Sequence, residues 1–183
     1  LHGTGVGGGS LVYANTLLVP PDDAFEDQNW PGFGWKEKLA PFYETAKQML
    51  GAVPAEYEGE TDKILKDCAD YMGRGSSYMK VDVGVYFGKP GETADDPFFG
   101  GKGPSRSGCT LCGGCMVGCR YNAKNTLDKN YLYLAEKLGV EIMPEQEVQD
   151  IRPLEDGGYQ LTIRKSTGIR RPIQKLQAEK VIL

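Results

Sequence analysis

The chain has 183 residues, room for one domain with its own core or for two small lobes. Hydrophobic residues make up 40% and charged residues 25%, ordinary values for a globular protein, and 25 glycines with 11 prolines predict a fold rich in turns. The net charge of -4 and a pI near 5.1 exclude the basic face that nucleic-acid binding needs, and no apolar run approaches the roughly 18–20 residues that span a bilayer.

Residues 3–10 read Gly-Thr-Gly-Val-Gly-Gly-Gly-Ser. Gly3, Gly5 and Gly8 satisfy G-x-G-x-x-G formally, but a dinucleotide fingerprint needs a strand before it and a helix after it, and the flanking sequence predicts neither. Two readings remain. Consecutive glycines let main-chain amides approach a pyrophosphate or the edge of a flat ring with no Cβ in the way, Ser10 adding a hydroxyl. Alternatively the segment is a tight, flexible turn. An apolar run follows to Val19 and stops at Pro20-Pro21.

A helix is predicted over about 36–50, with Leu39, Tyr43, Ala46 and Leu50 near one face and Gly51 ending it. Pro41 either starts this helix near Leu39 or kinks it. A second helix is predicted over 62–72, with Thr61 as N-cap and Gly73 as stop. Ile64, Leu65, Cys68, Ala69 and Met72 share its apolar face, which makes Cys68 a small core residue. Alternation over 79–87 predicts a strand, and residues 88–108 form a long loop. The paired carboxylates Asp22-Asp23 and Asp95-Asp96 lie beside prolines and read as caps or turn residues rather than acid–base pairs. The basic run at Arg164, Lys165, Arg170 and Arg171 is broken by a turn and reads as a solvated hairpin.

Five cysteines are present, and four of them form Cys109-x2-Cys112-x2-Cys115-x3-Cys119. That clustering reads as metal or redox chemistry in a reduced, cytoplasmic setting before it reads as a disulfide scaffold. The spacing is that of the bacterial ferredoxin run, although Arg120 stands where that run has proline and no second run exists. Three readings stay open: an Fe–S cluster, a zinc site, which more often uses two separated pairs, or thiols that merely brace a loop.

A third helix is predicted over about 125–138, carried by Leu127, Tyr131, Leu134 and Leu138, with Gly139 as its cap. Val140 to Met143 then reads as a short strand of a parallel sheet. A β-meander follows, with strands at about 147–154, 158–165 and 170–177, and the segment at Val181 to Leu183 reads as returning to a buried sheet. A first residue other than Met and so apolar a last segment lead to the expectation that this is an internal piece of a larger protein.

Two strings carry a family resemblance. Gly5-Val6-Gly7-Gly8-Gly9-Ser10-Leu11-Val12 resembles the second flavin-contacting loop of glucose–methanol–choline (GMC) oxidoreductases, in particular their cholesterol-oxidase-like bacterial branch. Cys112-Gly113-Gly114-Cys115-Met116-Val117-Gly118-Cys119, continued by Ala123 to Leu132, resembles a hallmark stretch of bacterial members. The resemblance implies FAD as cofactor, contacted by Gly5, Gly7, Gly8, Gly9 and Ser10, with Tyr13, Ala14 and Asn15 lining the flavin, where this sequence departs from the family's Asn-Gly-Gly. It also implies a main-chain contact from Val148 to the adenine. Some related sugar dehydrogenases hold an Fe–S cluster in a comparable Cys-rich insertion, which would make Cys109, Cys112, Cys115 and Cys119 its ligands and an electron acceptor a partner.

The expected fold is therefore α+β: a partial FAD-binding domain of parallel-sheet strands, helices and a three-stranded meander, with a loop-rich helical insertion. Residues 1–21 and 109–183 belong to the FAD-binding domain, and 22–108 to the insertion on the substrate side. The function implied for the parent protein is hydride transfer to flavin from the CH–OH group of an alcohol, sugar or sterol. The family's proton-accepting histidine comes from its C-terminal portion. The single histidine here, His2, reads as a bystander, so no catalytic residue is assigned and the chain alone is expected to be inactive. The rivals are a small Fe–S electron-transfer or binding module and a non-catalytic structural fragment.

Overall fold

The computed structural model describes residues 3–27, 29 and 31–183. They form two compact units, residues 1–139 and 140–183. Helices and small sheets are mixed, as an α+β class requires.

In the first unit, helix α1 (Trp35–Leu50) begins after Gly34 in the left-handed region and ends at Gly51, whose φ of 57° lets the Ala52 amide reach back to Lys47 O. Pro41 sits inside α1 rather than at its start. Its missing amide removes one bond of the ladder, and the helix runs on in both directions. Helix α2 (Glu60–Tyr71) begins two residues earlier than expected. Asp62 reaches back to the Gly59 amide at 2.8 Å, so Asp62, and not Thr61, completes the N-terminus. Gly73 stops it as expected, at φ 69°.

The apolar face of α2 is a correction. Ile64, Leu65 and Met72 are largely exposed, and Cys68 with them, because the element that meets α2 most is the short 3-10 turn Gly75–Ser77 just after it, too small to cover that face. The strand expected over 79–87 shortens to β2 (Asp82–Val83), antiparallel to β1 (Val53–Pro54), with single bridges from Val83 to Thr16 and from Val85 to Lys124. These bridges place 79–87 at the centre of the unit, between the stretch after the glycine loop and the stretch after the cysteines. The long loop 88–108 carries one small ladder, β3 (Thr93–Ala94) with β4 (Arg106–Ser107). Asp96 organises the turn between them, accepting backbone amides from Phe98, Phe99, Gly101 and Gly103.

The third helix is also shorter than its periodicity. A 3-10 turn, Leu127–Lys129, is followed by a break at Asn130 (φ -135°, ψ -97°), and only Tyr131–Lys137 is α-helix α3. The Asn130 carboxamide accepts the Tyr131 amide at 2.6 Å, so this side chain starts a new helix instead of continuing the old turn.

The second unit is the meander: β5 (Gln146–Pro153), β6 (Tyr159–Lys165) and β7 (Ile173–Ala178), antiparallel in the order β5-β6-β7. Its strands lie within two or three residues of the sequence expectation. Ile163 on the central strand is buried. Gly157 and Gly158 turn β5 into β6, both in the left-handed region. The expected parallel strands are absent among the described residues. Residues 140–143 and 181–183 join no ladder, and Ile182 and Leu183 are exposed, so their strand-like composition finds no neighbour to pair with.

Candidate functional site

The glycine-rich loop, the cysteine cluster and the string after it all belong to the first unit, and its centre is polar. Among the described residues its most buried large side chains are Arg106, Lys124 and Asn130, with Asn125 and Thr126 beside them. Buried polar groups need partners, and most of these partners lie on the two strings that carry the family resemblance.

The glycine loop forms a 3-10 turn over Gly8–Leu11. Gly7 (φ 107°) and Gly8 (φ 54°) occupy the left-handed region, where a side chain is strained. Amides of Gly8, Ser10 and Val12 are used within the loop, donating to Gly5, Gly7 and Gly9 carbonyls. The loop is therefore a wound 3-10 turn whose amides are largely spent on its own carbonyls, rather than a continuous row of free donors. Ser10 locks it: its hydroxyl donates to Gly7 O at 2.6 Å and accepts the Leu127 amide at 2.9 Å. A Cβ added at Gly8 or Gly9 would meet nothing within 4 Å, so this face of the backbone is open. Gly7 is buried instead, and a Cβ there would come within 3.5 Å of an Asp128 carboxylate oxygen that is buried without a hydrogen-bond partner.

Tyr13 and Asn15 are committed to the interior of the unit. The Tyr13 hydroxyl donates to Asn125 O at 3.0 Å, and the Lys124 ammonium lies 4.3 Å from the centre of the Tyr13 ring. Burial pushes the Tyr13 phenol up to about 12, helped by the Cys115 thiol. Asn15, at φ 66°, donates its carboxamide to Cys115 Sγ at 3.0 Å. Ala14 between them is exposed. Lys124 has no exposed surface and donates to Leu11 O at 3.1 Å and Cys115 O at 2.9 Å. One ammonium thus ties the end of the glycine loop to the cysteine loop. Burial holds its pKa below the ordinary lysine range. Arg106 donates to Ala123 O at 2.9 Å and to the Asn125 carboxamide oxygen, and burial brings its guanidinium down to about 10.

Cys109, Cys112, Cys115 and Cys119 line one cavity of about 500 Å³, walled on its apolar side by Val83, Val85 and Phe87. All four thiols are free. Cys109 Sγ accepts the Leu111 amide at 3.4 Å, and Cys119 Sγ the Ala123 amide at 3.4 Å. Burial holds the Cys109 thiol above its ordinary range. Burial also pushes Cys119 up, but the backbone amides of Lys124, Ala123 and Tyr121 outweigh it and leave Cys119 below that range. Among the described residues no group of three or more His, Cys, Asp or Glu converges to hold a metal ion. The ferredoxin spacing thus brings the thiols to one cavity, where among the described residues they form no group that could hold a metal ion.

Val148 lies on β5 in the second unit, opposite Ile163 and half exposed, at the start of a register shift before Asp150. His2 lies outside the described residues. Sequence reasoning missed Arg106 and the bonding role of Lys124. The only signal for Lys124 was its place inside the second family-like string. Arg106 stands between two serines in a loop with no periodicity to mark it. No helix among the described residues is long and apolar enough to cross a membrane.

No family model matches the chain. Over its whole length it is 45% identical to cholesterol oxidases from two strains of Mycobacterium tuberculosis, and over 87% of its length 45% identical to a cholesterol oxidase from Acinetobacter baumannii. The chain spans about a third of those relatives, 33% of the mycobacterial proteins and 31% of the Acinetobacter one.

Proposed function

This chain is a homologue, along its whole length, of a stretch of the cholesterol oxidases, in keeping with the GMC resemblance of its two strings, and on that premise we propose that it is part of an FAD-dependent oxidoreductase acting on the CH–OH group of a sterol-like alcohol. The observation that carries this reading is the open, locked turn at Gly8 and Gly9. Its backbone is fixed by Ser10 and Leu127, and no Cβ obstructs a flat ligand from that side. Bound FAD would supply the acceptor for the hydride of the alcohol carbon.

The residues of this chain would bind and orient. Gly8 and Gly9 would lie against the flavin, and Ser10 would keep the turn wound. The Ser10–Leu127 and Lys124–Leu11 bonds would keep the loop from shifting when the ring enters. Val148 would offer its main chain to the adenine. Residues 22–108 would stand on the substrate side. No side chain here is assigned as the base that takes the hydroxyl proton. Tyr13 is a poor candidate, since its hydroxyl is engaged by Asn125 and its proton is held tightly. The reading of this chain as an Fe–S module gains no support from the arrangement of its thiols.

The test is spectroscopic. The protein expressed from its complete reading frame should purify with the two-banded spectrum of an oxidised flavin. Anaerobic addition of a 3β-hydroxysterol should bleach the long-wavelength band, while a simple sugar or a short primary alcohol should not. A protein without flavin, or a flavin indifferent to sterol, would overturn the proposal.

A further inference from the structure

The thiol cavity has no part in the function proposed above, yet its sulfurs are held in an orderly way. Cys115 opens the short 3-10 turn Cys115–Val117, and Cys119 follows it directly after Gly118, at φ 93°. The Asn15 carboxamide aims a donor at Cys115 Sγ (3.0 Å), and the Ala123 amide aims one at Cys119 Sγ (3.4 Å). The buried Lys124 ammonium grips Cys115 O at 2.9 Å, and Lys124 directly follows the amide that serves Cys119. Hydrogen-bond donors aimed at both sulfurs hold the two side chains in fixed positions at one cavity. The same cavity offers a second sulfur four residues along the chain and access from solvent. Cys68, by contrast, is exposed on α2, away from the cavity wall, and has no such surroundings.

We propose that Cys115 and Cys119 form a peroxide-oxidisable dithiol, a modification site that closes to an intramolecular disulfide. The Cys119 sulfur attacks one oxygen of a hydroperoxide. The O–O bond breaks, the departing oxygen leaves as water or alcohol, and Cys119 becomes a sulfenic acid. The Cys115 sulfur then attacks the Cys119 sulfur. The S–O bond breaks, a second water leaves with the remaining thiol proton, and the S–S bond forms. The peroxide gains two electrons and the two thiols lose them. Reduction by an external thiol restores the starting state. Because Cys115 Sγ is bonded to Asn15, the oxidised form would release that carboxamide, five residues after Ser10 of the glycine loop.

Hydrogen peroxide is the probe. The full-length protein is treated with a small excess, its remaining thiols are alkylated, and its peptides are mapped by mass spectrometry. The expected result is a linked Cys115–Cys119 peptide, two fewer alkylated thiols, full reversal by dithiothreitol, and completion before Cys68 is oxidised. In Cys115→Ser, a sulfenic acid should be trapped at Cys119 by dimedone. In Cys119→Ser, no disulfide should form at Cys115. The wild-type map decides the matter even if either variant misfolds. Cavity thiols untouched at doses that oxidise Cys68 would overturn the proposal. So would a disulfide through Cys109 or Cys112, or one equivalent of iron or zinc found on the purified protein.

Discussion

Ser10 and Leu127, 117 residues apart, share a hydrogen bond in which the Leu127 amide donates to the Ser10 hydroxyl at 2.9 Å. The hydroxyl in turn donates a hydrogen bond to Gly7 O, so one side chain both winds the glycine turn and anchors it. Ser10→Ala removes both bonds and leaves a part-buried amide unpaired. The expected cost is about 1–2 kcal/mol, read as a fall of about 3–6 °C in thermal midpoint. The flavin content of the parent protein should fall as well. An unchanged midpoint would mean that the turn is held by other contacts.

Neighbouring glycines in the loop should separate folding from ligand binding. At Gly7, φ is 107° and an added Cβ would lie 3.2 Å from Leu11 Cδ2. Gly7→Ala is therefore expected to destabilise by about 1–2 kcal/mol. At Gly9 a Cβ meets nothing within 4 Å, and no positive φ constrains the backbone. Gly9→Ala should leave stability within about 0.5 kcal/mol of wild type, yet reduce the bound flavin severalfold, since the methyl would occupy the face offered to the ring. Urea unfolding beside flavin quantification checks both. Full flavin retention in Gly9→Ala would show that this face is not the contact.

Asp96 gives a pH signature. Its two carboxylate oxygens accept four backbone amides at 2.7–3.2 Å. Burial pushes this carboxyl up, but the four amides outweigh it and hold it below the usual carboxylate range. A folded value below the unfolded one means stabilisation that is complete above the unfolded pKa and is lost as pH falls through the folded one. Asp96→Asn should cost about 2 kcal/mol at neutral pH. The gap to wild type should close as the solution is made acidic. A gap that stays constant with pH would show that the charge is not what organises this loop.

How far these features could be read from sequence depended on whether they are local. The meander was legible because alternation and the Asp156-Gly157-Gly158 turn act within a few residues, and Gly51 and Gly73 stop their helices for the same reason. The third helix was overestimated because Leu127, Tyr131 and Leu134 keep helical spacing across Asn130, while the Asn130 side chain breaks the backbone there. Cys68 was misplaced because an apolar stripe shows which face seeks cover, not whether a neighbour supplies it. The ferredoxin spacing correctly gathered four cysteines at one cavity. It gave no warning that Asn15, about a hundred residues earlier, would turn one sulfur toward itself.

Lys124 provides the most demanding test of the polar centre. Its ammonium has no exposed surface, bonds two carbonyls from different segments, and sits 4.3 Å from the centre of the Tyr13 ring. Lys124→Met keeps much of the side chain's bulk but orphans Leu11 O and Cys115 O, and the expected loss is about 3 kcal/mol. Tyr13→Phe keeps the ring beneath the ammonium and removes only the hydroxyl bond to Asn125 O, so it should cost about 1 kcal/mol. Tyr13→Leu removes the ring as well. Combined with Lys124→Met, it should cost less than the sum of the two single losses, because the cation–ring contact is counted in both. Wild type should also show a tyrosine that ionises late, near 12, in an ultraviolet titration, and Tyr13→Phe should remove that step while leaving Tyr78, which is also raised, in place. If the Lys124→Met and Tyr13→Leu costs add fully, ring and ammonium do not interact, and the tie between the glycine loop and the cysteine loop reduces to the two carbonyl bonds.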